Sequence, residues 1–255
     1  MNLLTPLSKY ARLSKPGLGK SLLWGLWGAG LMLIPGGLWA QDQKVTIEMF
    51  PLQGGAVMYT AERTLHTEGG QLTEKNTYRD TKGTVLVETE AVFDATTLEP
   101  VKYRYQDLRS GETETLDRQA GKAVMTYVKA KGESKKTGEE ALAADKIISA
   151  AVTMFIQRNR EALKAGMNMD FRLLVPSRQD SVGFRVVSDA QAKAPAGTSV
   201  YRMEASSWVI RKLVDPLFLI LEDQPPYRLM EFRGRAAVKS NEGKDQDLRS
   251  VFHYK

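Results

Sequence analysis

Two histidines, His66 and His253, are the only side chains in this 255-residue chain whose ordinary pKa lies near neutrality, and they stand far apart in sequence. Neither sits beside a pair of carboxylates, so no local metal box is expected. There is no cysteine, which removes thiol chemistry and leaves any core to hold by packing alone. No Gly-x-Ser-x-Gly elbow and no phosphate-cradling glycine loop occurs. Acidic residues are plentiful, but Glu88 and Glu90 fall on the polar side of an alternating run, as on a solvated strand. Ser206 and Ser207, beside Trp208, have no base in view and read as packing detail. No catalytic residue, metal ligand or cofactor is therefore expected, and the protein is not expected to be an enzyme.

What remains is apolar and aromatic surface. Phe93, Tyr103, Tyr105, Tyr127, Phe171, Phe184 and Trp208 sit where they could face one interior. A curled sheet of about ten strands has room inside for side chains, or for a ligand where they leave space. Two readings stay open: an ordinary filled core, and a greasy cavity for an acyl chain or similar molecule. The candidate cavity residues are Phe93, Tyr103, Tyr105, Phe155, Phe184 and Trp208. A membrane barrel would need an apolar outer face, and Lys102, Arg104, Glu88, Glu90 and Arg172 oppose it.

The elements that position these residues are mostly short alternating segments. Val57, Tyr59, Ala61 and Leu65 share one face, with Thr60, Glu62 and Thr64 opposite. Gln71 to Arg79 is polar on both sides and reads as an exposed outer strand. Val85, Val87, Ala91 and Phe93 follow. Val101, Tyr103 and Tyr105 then alternate with Lys102, Arg104 and Gln106. Further runs centre on Phe171, on Phe184, from Thr198 into Trp208-Val209-Ile210, and on Leu217 to Leu221. Arg228 to Val238 and Leu248 to Tyr254 form a closing hairpin. Turn signals recur about every 10 to 15 residues, gaps too short for parallel crossovers. The expected class is mainly β: an antiparallel meander of about ten or eleven strands, forming a curled sheet or open barrel.

One segment breaks the rhythm. Gly132 to Glu140 is charged and reads as flexible. Asp145 stands at a plausible N-cap, Ile148, Val152, Phe155 and Ile156 follow at helical spacing, and Lys164 and Gly166 close the stretch. The pattern predicts one amphipathic helix over 145–164, with Lys146, Gln157, Arg158 and Arg160 on its polar side. Such a stripe packs on a sheet or serves as a movable lid. Here Ile148, Val152 and Phe155 are expected to cover one opening of the curled sheet.

The N-terminus carries the sharpest local signal. Lys9, Arg12, Lys15 and Lys20 precede an uncharged run from Ser21 to Ile34, then Pro35-Gly36-Gly37 and Ala40. That is a basic region, a short apolar core, a breaker and a small residue at a cleavage point. The run of about 14 residues is short for a membrane span of about 20. Residues 1–40 are expected to be a signal peptide cut near Ala40, with 41–255 a single β domain in the periplasm that does not span a membrane. The chain has 36 basic and 30 acidic residues. Removing the four basic residues of 1–40 leaves 32 against 30, so no nucleic-acid partner is implied.

The layout resembles a known group. A signal peptide, a meander beginning near Val57-Met58-Tyr59, a helix at Asp145-Lys146-Ile147-Ile148-Ser149-Ala150, and a closing stretch Tyr227-Arg228-Leu229-Met230-Glu231-Phe232-Arg233-Gly234-Arg235 resemble uncharacterised bacterial periplasmic β-proteins grouped as domains of unknown function. More loosely, these are similar to lipocalin-like folds and outer-membrane lipoprotein carriers. The resemblance implies a half-open barrel with a helix over its mouth, and carries no catalytic residue. The function so expected is non-catalytic binding of an apolar or amphipathic molecule, an envelope lipid among the candidates. The rival is a structural or protein-interaction component of the cell envelope with a filled core.

Overall fold

A computed structural model describes residues 42–211 and 215–255; the expected signal segment, 1–40, lies outside the described residues. Among the described residues, fifteen strands form one sheet. In chain order they are β1 (Gln43–Pro51), β2 (Tyr59–Glu68), β3 (Gln71–Asp80), β4 (Val85–Asp94) and β5 (Pro100–Asp107). Next come β6 (Thr113–Gln119), β7 (Lys122–Val128), β8 (Lys136–Ala141) and β9 (Lys146–Ile147). Three short helical pieces follow: a 3-10 turn at Ser149–Ala151, α1 (Val152–Arg158) and α2 (Arg160–Lys164). Then come β10 (Met169–Val175), a 3-10 turn at Pro176–Arg178, β11 (Asp180–Ser188) and β12 (Thr198–Ala205). The chain ends with α3 (Trp208–Arg211), β13 (Leu217–Glu222), β14 (Leu229–Arg235) and β15 (Asp247–Tyr254).

The spatial order runs β8 back to β1, then β15 back to β9. Each successive strand pairs antiparallel with its neighbour, apart from the short parallel contact of β9 with β10. The first and last strands meet in the middle, with Val45 opposite Tyr254 and Pro51 opposite Leu248. The sheet curls without closing its ladder. Its two edges are joined by side chains: Glu140 on β8 accepts from the Ser181 hydroxyl on β11 at 2.5 Å and ion-pairs with Lys146 on β9 at 2.7 Å. Gly138 permits this approach, because a Cβ there would lie 2.5 Å from that of Gln179.

Strand alternation sorts the residues. Val45, Ile47 and Met49 on β1, Val87, Ala91 and Phe93 on β4, and Leu116 on β6 point inward and are buried. The outer side carries ion pairs such as Lys102 with Glu90 and Arg104 with Asp117 at 2.7 Å. Tyr103 and Tyr105 face inward while Lys102 and Arg104 face out, as the period-two pattern predicts. No helix among the described residues is long and apolar enough to cross a membrane.

The mainly β class and the antiparallel meander match expectation; several details differ. The strand count exceeds the expected ten or eleven: β1, whose Val45, Ile47 and Met49 alternate with Thr46 and Glu48, lies ahead of the first run counted, β8 has no apolar alternation, and β9 is two residues long. β8 occupies much of the segment read as flexible. It has no large apolar side chain and no regular alternation, and backbone pairing to β7 holds it. Gln71–Asp80 is no outer strand: β3 lies between β2 and β4 with Leu72, Glu74 and Asn76 buried. The single helix expected over 145–164 is shorter and broken. Asp145 is not its cap, for its carbonyl accepts from the Arg172 amide at 2.7 Å and Lys146–Ile147 pair with β10. At Asn159 the side-chain amide and the backbone N–H both donate to the Phe155 carbonyl, at 2.8 and 3.2 Å, which separates α1 from α2. The strand from Thr198 stops at Ala205, and Trp208–Arg211 is one helical turn.

Candidate ligand-binding cavity

The curled sheet encloses a cavity of about 530 Å³, partly open to solvent. One wall is apolar and comes mainly from β1 and the C-terminal strands, with Ile47, Met49, Leu173, Met203, Leu219 and Phe252 on it. The other wall is polar and comes from β2 to β6. On it a row of side chains runs across five neighbouring strands in register: Arg63 opposite Asn76, Asn76 opposite Thr89, Thr89 opposite Tyr105, and Tyr105 opposite Glu114. All five line the cavity.

The row is internally bonded at its start. Arg63 Nε donates to Asn76 Oδ1 at 3.0 Å, and Asn76 Nδ2 donates to Glu74 Oε1 at 2.9 Å and Thr89 Oγ1 at 3.0 Å. Arg63 Nη2 lies 3.5 Å from Glu74 Oε1, and its guanidinium sits 5.0 Å over the Phe252 ring. Tyr78 and Tyr103 project their phenols into the same space, and neither hydroxyl bonds to the described residues. Burial pushes the Tyr78 phenol up to about 12 and raises that of Tyr103 well above its ordinary value. Burial also raises the Glu114 carboxyl; the Ser177 hydroxyl and Lys239 oppose the shift, Glu112 and Asp245 add to it. A polar row of this kind is a costly way to fill a core, because each buried polar group must be bonded. It suits an interior that meets water or a polar ligand group.

Both ends of the barrel are dressed. At one end α1 and α2 span the opening. Arg158 donates to the carbonyls of Thr96 (2.6 Å) and Ala95 in the β4–β5 turn. Gln157 donates to the Tyr227 carbonyl at 2.9 Å and Arg160 to that of Asp223 at 2.6 Å, both in the β13–β14 turn. Ile148, Ala151, Val152, Ile156 and Leu163 are buried beneath, and Ser149, Ala150, Val152 and Thr153 line the cavity. At the other end the β14–β15 connection, 236–246, folds back as a strap onto β5 and β6. Val238 is fully buried. The Tyr105 hydroxyl donates to the Ala237 carbonyl at 3.1 Å, Arg109 to that of Lys239 at 3.1 Å, and Lys239 ion-pairs with Glu112 at 2.5 Å.

Of the residues proposed from sequence, Tyr103 and Tyr105 line this cavity. Phe93 is buried in the core away from the cavity wall. Phe155 and Phe184 are partly buried and belong to an aromatic row with Phe171, whose ring lies 4.9 Å from that of Phe155 and 6.1 Å from that of Phe184. Trp208 is corrected: it is 64 % exposed on its helical turn, because β12 ends before it, and it does not line the cavity. The sequence reading missed Arg63, Glu74, Asn76 and Glu114. Their parity with Ala61, Leu72, Tyr78 and Leu116 was the available signal. Each histidine has a surface carboxylate partner, His66 with Asp42 at 2.6 Å and His253 with Glu48 at 3.0 Å. No group of three metal-ligating side chains occurs among the described residues.

No protein-family model matches the chain, and no curated protein does. Among solved structures it is similar to a β-barrel-like protein of domain of unknown function DUF1849 from Brucella abortus. The TM-score is 0.46 and the identity 8 %, over 83 % of this chain and 95 % of that one. At that identity the likeness concerns the fold alone.

Proposed function

We propose that the protein is an exported, non-catalytic binding protein of the periplasm that holds an amphipathic molecule, an envelope lipid or a molecule of similar build, inside its curled sheet. The observation that carries this reading is the cavity itself. At about 530 Å³ it falls in the range of small-molecule sites, about 300–1,000 Å³. Its opposed apolar and polar walls match a ligand with a greasy body and a hydrogen-bonding end. A lipocalin-like or lipoprotein-carrier role is the nearest general description. The export half of the reading rests on residues 1–40, and N-terminal sequencing of periplasmic protein should begin near Gln41. Intact Met1 on membrane-bound protein would overturn it.

The binding half is tested by native mass spectrometry of protein purified from the periplasm, beside an Ala91→Phe variant. Ala91 is buried on the cavity wall, so a phenyl group there fills the space a ligand needs. Wild-type protein should carry a bound amphiphile and the variant should lose it while still melting cooperatively. Ligand-free wild type that also ignores added amphiphiles sinks the proposal and favours the envelope-structure alternative.

A further inference from the structure

We propose that the polar end of the ligand is a cation, an amine or quaternary ammonium group, seated on Glu114 beside Tyr103 and Tyr105. The inference rests on the amphiphile reading above and adds the chemistry of the headgroup. Glu114 faces inward on β6, directly opposite Tyr105 on β5 and Tyr127 on β7, with Tyr103 one pleat away. Glu114, Tyr103 and Tyr105 all line the cavity.

Charge pairing picks out this carboxylate. The other inward acids have cations of their own: Glu74 has Arg63, Glu112 has Lys239, and Asp107 has Arg109 at 2.8 Å. Among the described residues Glu114 makes no ion pair. The cations near the cavity are all committed in turn: Arg63 to Glu74 and Asn76, Lys239 to Glu112, and Arg235 to Asp245 and Asp247 at 2.9 and 2.8 Å. Among the described residues the interior thus holds one carboxylate whose partner is a hydroxyl, that of Ser177, and not a cation, and it has no cation to spare for an anionic headgroup. An ionised carboxylate in that position is costly until a charge joins it. Tyrosine rings attract cations through their π faces, and the Tyr103 hydroxyl is open to accept from an N–H. The apolar wall across the cavity takes the chain that the cation terminates.

Three amphiphiles with the same ten-carbon chain separate the possibilities: decyltrimethylammonium, decyl maltoside and decanoate, titrated below their micelle concentrations into the full mature protein. In the wild type the cation should bind about tenfold tighter than the neutral maltoside, the scale of one desolvated cation–π and charge contact. Decanoate should bind weakest. Glu114→Gln should erase the preference for the cation, bringing the affinities for the cation and the maltoside together. Equal or tighter binding of the maltoside or decanoate by the wild type overturns the headgroup inference and leaves the cavity reading standing. A cation preference that survives Glu114→Gln, or that survives the cavity-filling Ala91→Phe, also overturns it, since the cation is then held elsewhere. Failure of all three to bind overturns the cavity reading as well.

Discussion

Replacing Asn76 with alanine breaks the bonded part of the polar row at its hub. Asn76 is 5 % exposed and makes three side-chain bonds: one from Arg63 Nε, one to Glu74 Oε1 and one to Thr89 Oγ1. Bonds to charged groups contribute about 1.5–3 kcal/mol each and the neutral one about 1 kcal/mol. Simple addition overshoots, because the freed groups front a cavity where water can replace part of the amide. A loss of about 2–4 kcal/mol is expected. For a domain of this size, that lowers the melting temperature by about 5–15 °C at about 2–4 °C per kcal/mol. Urea denaturation of wild type, Asn76→Ala, Thr89→Val and the double variant measures it. Thr89→Val alone removes one acceptor and should cost about 1 kcal/mol. In the double variant about that amount should be missing from the sum, since the two share one bond. A loss below about 1 kcal/mol for Asn76→Ala, or strict additivity, would refute the claim that the row is a connected network.

Phe155→Ala removes the ring against Phe171 under the barrel-spanning helices. It should lower stability by about 3–5 kcal/mol; a loss of bound amphiphile with an unchanged melting curve would instead make α1 a lid. Tyr105→Phe deletes the hydroxyl bond to the Ala237 carbonyl and should cost about 0.5–1.5 kcal/mol while speeding ligand release, measured by stopped-flow dilution; an unchanged release rate removes the strap from the exit path. Glu114 has a folded pKa raised above its unfolded value, so the native state holds its proton more tightly. Its contribution to stability is therefore present at low pH and lost as pH rises through the folded value. Glu114→Gln should melt above wild type at pH 7, and the gap should close as pH falls toward about 4. A gap independent of pH contradicts the assignment.

Strand parity made much of the fold legible. Tyr103 and Tyr105 against Lys102 and Arg104 announced both the strand and its inward face, since side chains on a pleated strand alternate whatever the tertiary context. The same rule fails where both faces are polar. Gln71–Asp80 looks like an outer strand because Glu74 and Asn76 are polar, yet their position between Leu72 and Tyr78 puts them inside. An inference from polarity to exposure holds for a filled core and breaks for a barrel with a polar inner wall. β8 escaped notice because an edge strand is held by main-chain bonds. The helix bounds were misplaced because Ile148, which directly follows the end of β9, falls at helical spacing with Val152 and Phe155. Trp208 suggested an interior ring by its type alone, and nothing local to it reported that β12 stops at Ala205.

The pairing of β1 with β15 has a consequence for how the molecule is made. Val45 and Tyr254 adjoin across the middle of the sheet, so the two arms, β2 to β8 and β9 to β14, hang from a seam between the first and last of the described strands. Apart from the parallel contact of β9 with β10, each arm is a meander of local hairpins and can form early. The seam joins strands from far apart in sequence, and such contacts are slow to form. Until the final strand arrives, both centre strands expose unpaired backbone beside apolar faces, a template for pairing with another chain. Folding should therefore show two phases: rapid hairpin formation in the arms, then a slower step in which Asp247–Tyr254 docks beside Gln43–Pro51. A chain ended at Gln246, without β15, should stall before that step and aggregate.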